Sequence, residues 1–177
     1  MQHDISSGFK FFNYFLNSYK KISYDPETEI IMTAGGQEAM YLALQATINP
    51  GDEVLVPNPG FGLFFSSTSL VGGTPVSLPL HAENGFVPDL EQAKRLVSEK
   101  TRAIIVNSPH NPSGAVWSME QMEAVCEFAK EHDLLLFSDE AYDRILYDGE
   151  FISPAAMTDM KDRTVILGSL SKTYSMT

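Results

Sequence analysis

The chain has 177 residues, enough for one well-packed domain, and 44% of them are hydrophobic, a share typical of globular proteins. Its formal net charge of -11 argues against nucleic-acid binding, because phosphate contacts need an excess of Lys and Arg. No apolar run approaches the roughly 20 residues of a membrane-spanning helix, and the first residues lack the pattern of a signal peptide. The single cysteine, Cys126, cannot form an internal disulfide, so we expect a reduced, cytoplasmic setting. The four histidines lie far apart without metal-ligand spacing, and no metal is predicted.

The first third of the chain predicts a helix, a strand and a glycine turn. Apolar residues recur at helical spacing over 9–19. Residues 29–33 are typical of a short strand that runs into Gly35 and Gly36, and residues 37–48 of a helix. Glycine lets the backbone approach an anion, and N–H groups at a helix N-terminus can bind it. A tight turn that needs glycine for backbone reasons alone would explain the same sequence.

The middle of the chain continues this alternation. We predict strands over 53–56 and 75–80, with a helix over 61–70 between them. Phe61 follows the first of these strands and is either a stacking platform for an aromatic ligand or a core residue. Asp89 is predicted to be the N-cap of a further helix.

Two fully apolar strands then lead into polar motifs. Residues 103–106 run into HNPSG, whose prolines and glycine would hold the amide of Asn111 in a rigid loop. After a helix capped by Ser118, residues 134–137 run into SDEAY. A carboxylate directly after a buried strand is costly unless it meets a cation or hydrogen-bond donors. We therefore expect Asp139 to have a partner, a cation or hydrogen-bond donors, that its neighbours in sequence do not supply.

The last predicted strand, 163–167, runs into GSLSK at the end of the chain. The hydroxyls of Ser169 and Ser171 and the amine of Lys172 could hold an anionic group and present a nucleophile. Taken alone, a lysine after a strand is usually a solvated surface charge.

Strands that alternate with helices predict an α/β fold, with a mostly parallel sheet and helices on both faces. The residues that could carry chemistry fall at or just after strand ends: Gly35, Gly36, Phe61, Asn111, Asp139, Tyr142, Ser169, Ser171 and Lys172. Open α/β sheets bind ligands at this edge, so we expect one shared crevice.

Five motifs in order carry a family resemblance: TAGGQEAM, P-x-F after a strand, HNPSG, SDEAY and SLSK. From about residue 8 to 177 the sequence resembles the class I and II aminotransferases, fold-type-I enzymes that use pyridoxal 5'-phosphate (PLP). The resemblance implies that Lys172 forms the Schiff base with PLP and that Asp139 pairs with the pyridinium nitrogen. It implies that Tyr142 and Asn111 hydrogen-bond the phenolic oxygen and that Phe61 stacks on the ring.

The resemblance also implies a phosphate-binding cup, formed by Gly36, Gln37, Ser169 and Ser171, with Gly35 shaping the turn. The implied activity is transfer of an amino group between an amino acid and a 2-oxo acid, in a protein that is a homodimer when complete. A carbon–sulfur lyase or a cyclopropane-forming synthase of the same fold would keep these motifs. A PLP-binding effector domain of a transcription regulator would keep them too, and an unrelated flavodoxin-like domain would match them only by chance.

Compared with the family pattern, the sequence corresponds to the central part of the PLP-binding large domain, and we expect the C-terminal small domain to be absent. Four features of the family have no counterpart in residues 1–177: an N-terminal tyrosine, a further phosphate-binding residue that is an arginine, the arginine that binds the substrate carboxylate, and one strand. By resemblance that strand lies between those that end at Gly35 and Gly168. We therefore expect the 177-residue chain to be inactive by itself.

Overall fold

The structure is a computed structural model and describes residues 16–176, which fold as one open sheet flanked by helices. The strands are β1 (Glu53–Asn58), β2 (Thr74–Pro79), β3 (Thr101–Asn107), β4 (Leu135–Asp139) and β5 (Thr164–Leu167). The α-helices are α1 (Gly36–Thr47), α2 (Leu63–Leu70), α3 (Leu90–Leu96), α4 (Met119–Glu131) and α5 (Leu170–Thr173). Short turns comprise a π-helical turn at Leu16–Lys20 and 3-10 turns at Ala82–Asn84, Pro154–Ala156 and Lys161–Arg163.

All strand pairs in the sheet are parallel, in the order β2-β1-β3-β4-β5. The register pairs Asn107 with Asp139 and Asp139 with Leu167, so the last residues of β3, β4 and β5 lie side by side. Since parallel strands end at the same edge, the loops that follow them meet there. The predicted parallel α/β architecture is confirmed.

The core lies on both faces of the sheet because the strand residues alternate between two buried clusters. Ile104 and Leu136 pack with Met122 of α4 on one face. Ile105 and Phe137 pack on the other face. That second cluster also contains Met40 and Leu44 of α1 and Phe64 of α2. Helices therefore cover both sides, which explains why residues 103–106 of β3 and 135–137 of β4 are all apolar.

The helix starts follow the sequence signals. The Ser118 hydroxyl accepts a hydrogen bond from the Gln121 N–H, and the Gln121 side chain accepts one from the Ser118 N–H. This is the reciprocal capping box that the sequence predicts for α4. Asp89 caps α3 by accepting hydrogen bonds from the N–H groups of Glu91 and Gln92.

The strand predicted over 29–33 is wrong. This segment forms no ladder with a neighbouring strand, and Ile31 and Met32 are 81% and 49% exposed. Its backbone hydrogen bonds are local, as from the Glu29 N–H to the Asp25 carbonyl at 2.8 Å. A run of apolar and β-branched residues becomes a strand only beside a partner, and none lies here within residues 16–176.

The helix predicted over 9–19 lies mostly outside the described residues. Its described end is the π-helical turn Leu16–Lys20, in which Leu16 and Lys20 are buried. No helix within residues 16–176 is long and apolar enough to cross a membrane.

Candidate active site

The carboxyl edge of the sheet gathers most of the predicted site residues. Phe61 follows β1 and Asn111 follows β3. Asp139 is the last residue of β4, and Tyr142 lies in the turn after it. Lys172 lies in α5, just after β5. The Lys172 ammonium lies 5.8 Å from the centroid of the Tyr142 ring. The amine and the phenol, thirty positions apart in sequence, are therefore neighbours.

Asn107 joins two of these loops, and the sequence analysis assigned it no role. Its amide nitrogen donates to the Asp139 carbonyl at 3.0 Å, and its amide oxygen accepts from the Asn111 N–H at 2.8 Å. The residue is 1% exposed, so the amide that makes both bonds is shielded from water. Asn107 thus fixes the backbone of Asn111 relative to that of Asp139. A polar residue at the last position of an apolar strand was the available signal.

Asp139 is a carboxylate in an environment that disfavours its charge. Burial raises the pKa of Asp139 to about 6; a hydrogen bond from the Ala141 N–H opposes the rise, and the charge of Glu140 adds to it. No ion pair within residues 16–176 includes Asp139. The described residues supply this carboxylate with no cation, so the cationic partner that the sequence predicts for it is not found within residues 16–176.

A second part of the edge suits an anion. Gly35 is the N-cap residue of α1, and its φ of 91° is a left-handed conformation that favours glycine. Because glycine has no side chain, it makes no side-chain hydrogen bond to the first N–H groups of the helix, which suit an anion. A Cβ at Gly36 would lie 3.6 Å from the Gly168 carbonyl oxygen and 3.9 Å from the Ser169 Cβ. The start of α1 and the loop after β5 therefore face each other closely.

The serines of this loop are held by local hydrogen bonds. The Ser169 hydroxyl accepts from the Ser171 N–H at 3.2 Å and so caps α5. As an acceptor in that bond, the Ser169 hydroxyl keeps its proton free to donate. Gln37, in the first turn of α1, is exposed.

Phe61 lies at the same edge but is tied to the helix that it precedes. Its ring meets the Phe64 ring edge-on at a centroid distance of 5.8 Å, and 37% of the residue is exposed. Within residues 16–176, no ring contact and no side-chain hydrogen bond joins Phe61 or Gln37 to the other predicted site residues. Their roles at the site stay predictions.

His110 is a second residue whose role the sequence analysis missed. Its Nε2 lies 3.1 Å from the Pro59 carbonyl oxygen and its Nδ1 lies 2.7 Å from the Ser113 hydroxyl. Burial lowers the pKa of His110, which favours the neutral ring. In that form Nε2–H donates to Pro59 and Nδ1 accepts from Ser113. His110 therefore links the loop after β1 to the loop after β3, and only its place in a proline-rich loop hinted at this.

A groove of about 920 Å³ opens beside this edge of the sheet. Asn111 and Tyr142 line it, together with the start of α4 and the segment 145–152. No group of His, Cys, Asp and Glu within residues 16–176 could hold a metal ion. The edge therefore offers open volume next to an amide and a phenol.

Comparison with known proteins places this geometry in a family. The profile of the family aminotransferase class I and II matches residues 8–177. The putative aminotransferase YugH of Bacillus subtilis is 41% identical over 163 residues, which make up 92% of this chain and 42% of that protein. The aspartate aminotransferase of Pyrococcus abyssi is 39% identical over 163 residues, with the same two shares.

The solved structures agree with the sequence relatives. The aromatic aminotransferase of Pyrococcus horikoshii OT3 superposes with a TM-score of 0.95 at 36% identity, over 98% of this chain and 47% of that chain. The present chain spans less than half the length of each of these three proteins. A match over residues 8–177 nevertheless shows the family: the chain belongs to the class I and II aminotransferases.

Proposed function

We propose that the protein acts as a PLP-dependent aminotransferase, which moves an amino group between an amino acid and a 2-oxo acid. One observation carries the proposal: Asp139, a carboxylate without a cation among the described residues, lies at the sheet edge that also carries Lys172. A buried carboxylate of this kind suits a ligand that brings its own protonated nitrogen.

The described residues fit the cofactor at its two ends. Asp139 would accept a hydrogen bond from the ring N–H, which would stabilise the carboxylate charge that burial now disfavours. Tyr142 and Asn111 would donate to the phenolic oxygen, and Phe61 would cover one face of the ring. The phosphate would be held by the start of α1 and the loop after β5, through Gly36, Gln37, Ser169 and Ser171, with Gly35 shaping the turn.

Bound PLP would supply an electron sink that lets the α-proton of an amino acid leave, and it would hold the amino group until a 2-oxo acid takes it up. Lys172 would anchor the cofactor through its Nζ and, once released, carry the α-proton on that atom. Tyr142, whose ring lies 5.8 Å from this nitrogen, would keep the amine near the phenolic edge of the cofactor. The relatives named above differ in their substrates, so the proposal extends only to amino acids and 2-oxo acids as classes.

Three further expectations belong to the same proposal. Residues 1–177 form part of a PLP-binding large domain, the complete protein is a homodimer, and it works in the cytoplasm. The family match supports the first of these, because it runs through all of the expected cofactor motifs. Light scattering of the complete protein would test the second.

The central test is chemical labelling of Lys172. The complete protein is purified, incubated with PLP, reduced with borohydride, digested and analysed by mass spectrometry. We expect the pyridoxyl mass on the peptide that contains Lys172 and its loss in Lys172→Ala. Labelling of another lysine, or labelling that survives Lys172→Ala at the same level, would overturn the assignment. Lys94→Ala, at an exposed lysine on α3, serves as the matched control and should leave the labelling unchanged.

A further inference from the structure

A buried ion cluster lies next to the proposed cofactor site and takes no part in it. The Lys20 ammonium contacts the Glu140 carboxylate and lies 2.9 Å from the Asp143 carboxylate. The side chains of Lys20, Glu140 and Asp143 are only 2%, 0% and 10% exposed. Burying three charges is costly, so this arrangement needs an explanation beyond surface salt bridging.

Two serine hydroxyls support the cluster by hydrogen bonds. The second oxygen of Glu140 accepts from the Ser138 hydroxyl at 2.9 Å and from the Ser153 hydroxyl at 2.7 Å. Burial alone would lower the pKa of Lys20, but the two carboxylates outweigh it, and the pKa of Lys20 is raised. The ammonium is thus charged and paired, as a durable buried contact requires.

The spacing of the cluster mirrors the spacing of the cofactor pair. Strand alternation puts Ser138 and Glu140 on one side of the chain and Asp139 on the other. Three positions further on the pattern repeats, since Tyr142 is near Lys172 while Asp143 binds Lys20. The segment 139–143 therefore has two faces, one toward the proposed cofactor and one toward Lys20.

Beyond Asp139, the last residue of β4, this segment has no regular structure to hold it. Residues 141–144 form a turn, outside both the strand ladder and any helix. The Glu140 N–H donates to the Leu167 carbonyl at 2.9 Å, and the Tyr19 hydroxyl donates to the Asp143 carbonyl at 2.9 Å. Further anchors are the hydrogen bonds from Asn107 to Asp139 and from two serines to Glu140, and the two carboxylates that share the Lys20 ammonium.

We propose that Lys20 is a positioning residue for the cofactor-binding pair Asp139 and Tyr142, which it places by clamping Glu140 and Asp143 from the opposite face of the same segment. The inference rests on the proposed function, in which Asp139 and Tyr142 bind PLP. A residue from the first helical turn that the structure describes thereby fixes groups at the far end of β4, 120 positions away in the sequence.

The test separates the clamp from general stability. In Lys20→Met without cofactor, amide hydrogen exchange over 140–143 should speed up by about tenfold or more relative to amides of β3, as expected for loss of a charged anchor. The dissociation constant for PLP, titrated by absorbance, should rise by about tenfold or more for the same reason. Two controls are matched to this variant. Lys94→Met breaks an exposed pair and should change neither quantity, and Met122→Ala weakens the core without touching the clamp.

A second variant keeps the test decisive if Lys20→Met does not fold. Lys20→Met combined with Glu140→Gln and Asp143→Asn removes all three charges of the cluster and leaves no unpaired buried charge. Stability should recover in this triple variant, while PLP affinity should stay about tenfold weaker because the clamp is still missing. If the cluster had only a structural role, this variant would recover both its stability and its PLP affinity.

The proposal would be overturned if the Lys20 variants lost stability but, like Met122→Ala, kept wild-type exchange over 140–143 and wild-type PLP affinity. Failure of the proposed function looks different, because the wild-type chain would then not be labelled at Lys172. The exchange measurement needs no cofactor, so it still decides whether Lys20 holds this segment.

Discussion

Replacing Asp139 by Asn should stabilise the chain in the absence of cofactor, although Asp139 is the residue most important for the proposed chemistry. The isosteric amide keeps an oxygen that can accept the Ala141 N–H and removes the charge that burial disfavours. Burial raises the pKa of Asp139 from 3.8 to about 6 in the folded chain. A rise of this size corresponds to about 3 kcal/mol in the free energy of unfolding, and screening of the partly exposed group lowers the expected effect to about 1.5–3 kcal/mol.

The sign of the pH dependence follows from the raised pKa. The folded chain binds the Asp139 proton more tightly than the unfolded chain does, so this group stabilises the fold most below pH 3.8. That contribution is lost as the pH rises through about 6. The Asn variant has no such loss. Its advantage should therefore be smallest near pH 4, grow up to pH 6 and stay constant above pH 7.

Urea unfolding of the two cofactor-free chains between pH 4 and pH 8 measures the difference. Asp148→Asn removes an exposed carboxylate and should change the free energy of unfolding by less than about 0.5 kcal/mol. Saturating PLP should then stabilise the wild type more than Asp139→Asn, because only the carboxylate gains a charged partner. If the Asn variant were equally stable or less stable than the wild type at pH 8, Asp139 would not be strained by burial and this explanation of its role would fail.

Two further predictions concern other parts of the fold. Burial raises the pKa of the Cys126 thiol to about 12. A thiol reagent at pH 8 should therefore modify the native chain at least about 100-fold more slowly than the urea-unfolded chain. Equal rates would place this thiol at the surface. Ser118→Ala should lower the free energy of unfolding by about 1 kcal/mol because α4 loses its capping box. Ser118→Asp can still accept a hydrogen bond from the Gln121 N–H and should keep most of that stability. Equal losses in both variants would show that the cap contributes nothing.

Much of this site could be read from local sequence. Apolar strands followed by HNPSG and SDEAY predict parallel strands with polar groups at their ends, because strand burial and turn chemistry are decided within a few residues. The same signals predict that Asp139 lacks a cationic partner in its own loop, and the structure shows no ion pair of Asp139 within residues 16–176. The N-cap at Ser118 was equally legible, since a cap bonds to residues only three positions away.

Contacts between distant parts of the chain decided the rest. Residues 29–33 have the composition of a strand, yet they form none, because a strand needs a neighbour and sequence composition cannot supply one. In the sequence Asn107 is one polar residue at the end of an apolar run, and its function as a bridge from Asn111 to Asp139 appears only when β3 and β4 lie side by side. Lys20 and Glu140 are separated by 120 positions. Each reads as an ordinary charge in the sequence, and only the packing of the chain buries them against each other, where an ion pair outside water can fix the position of a loop.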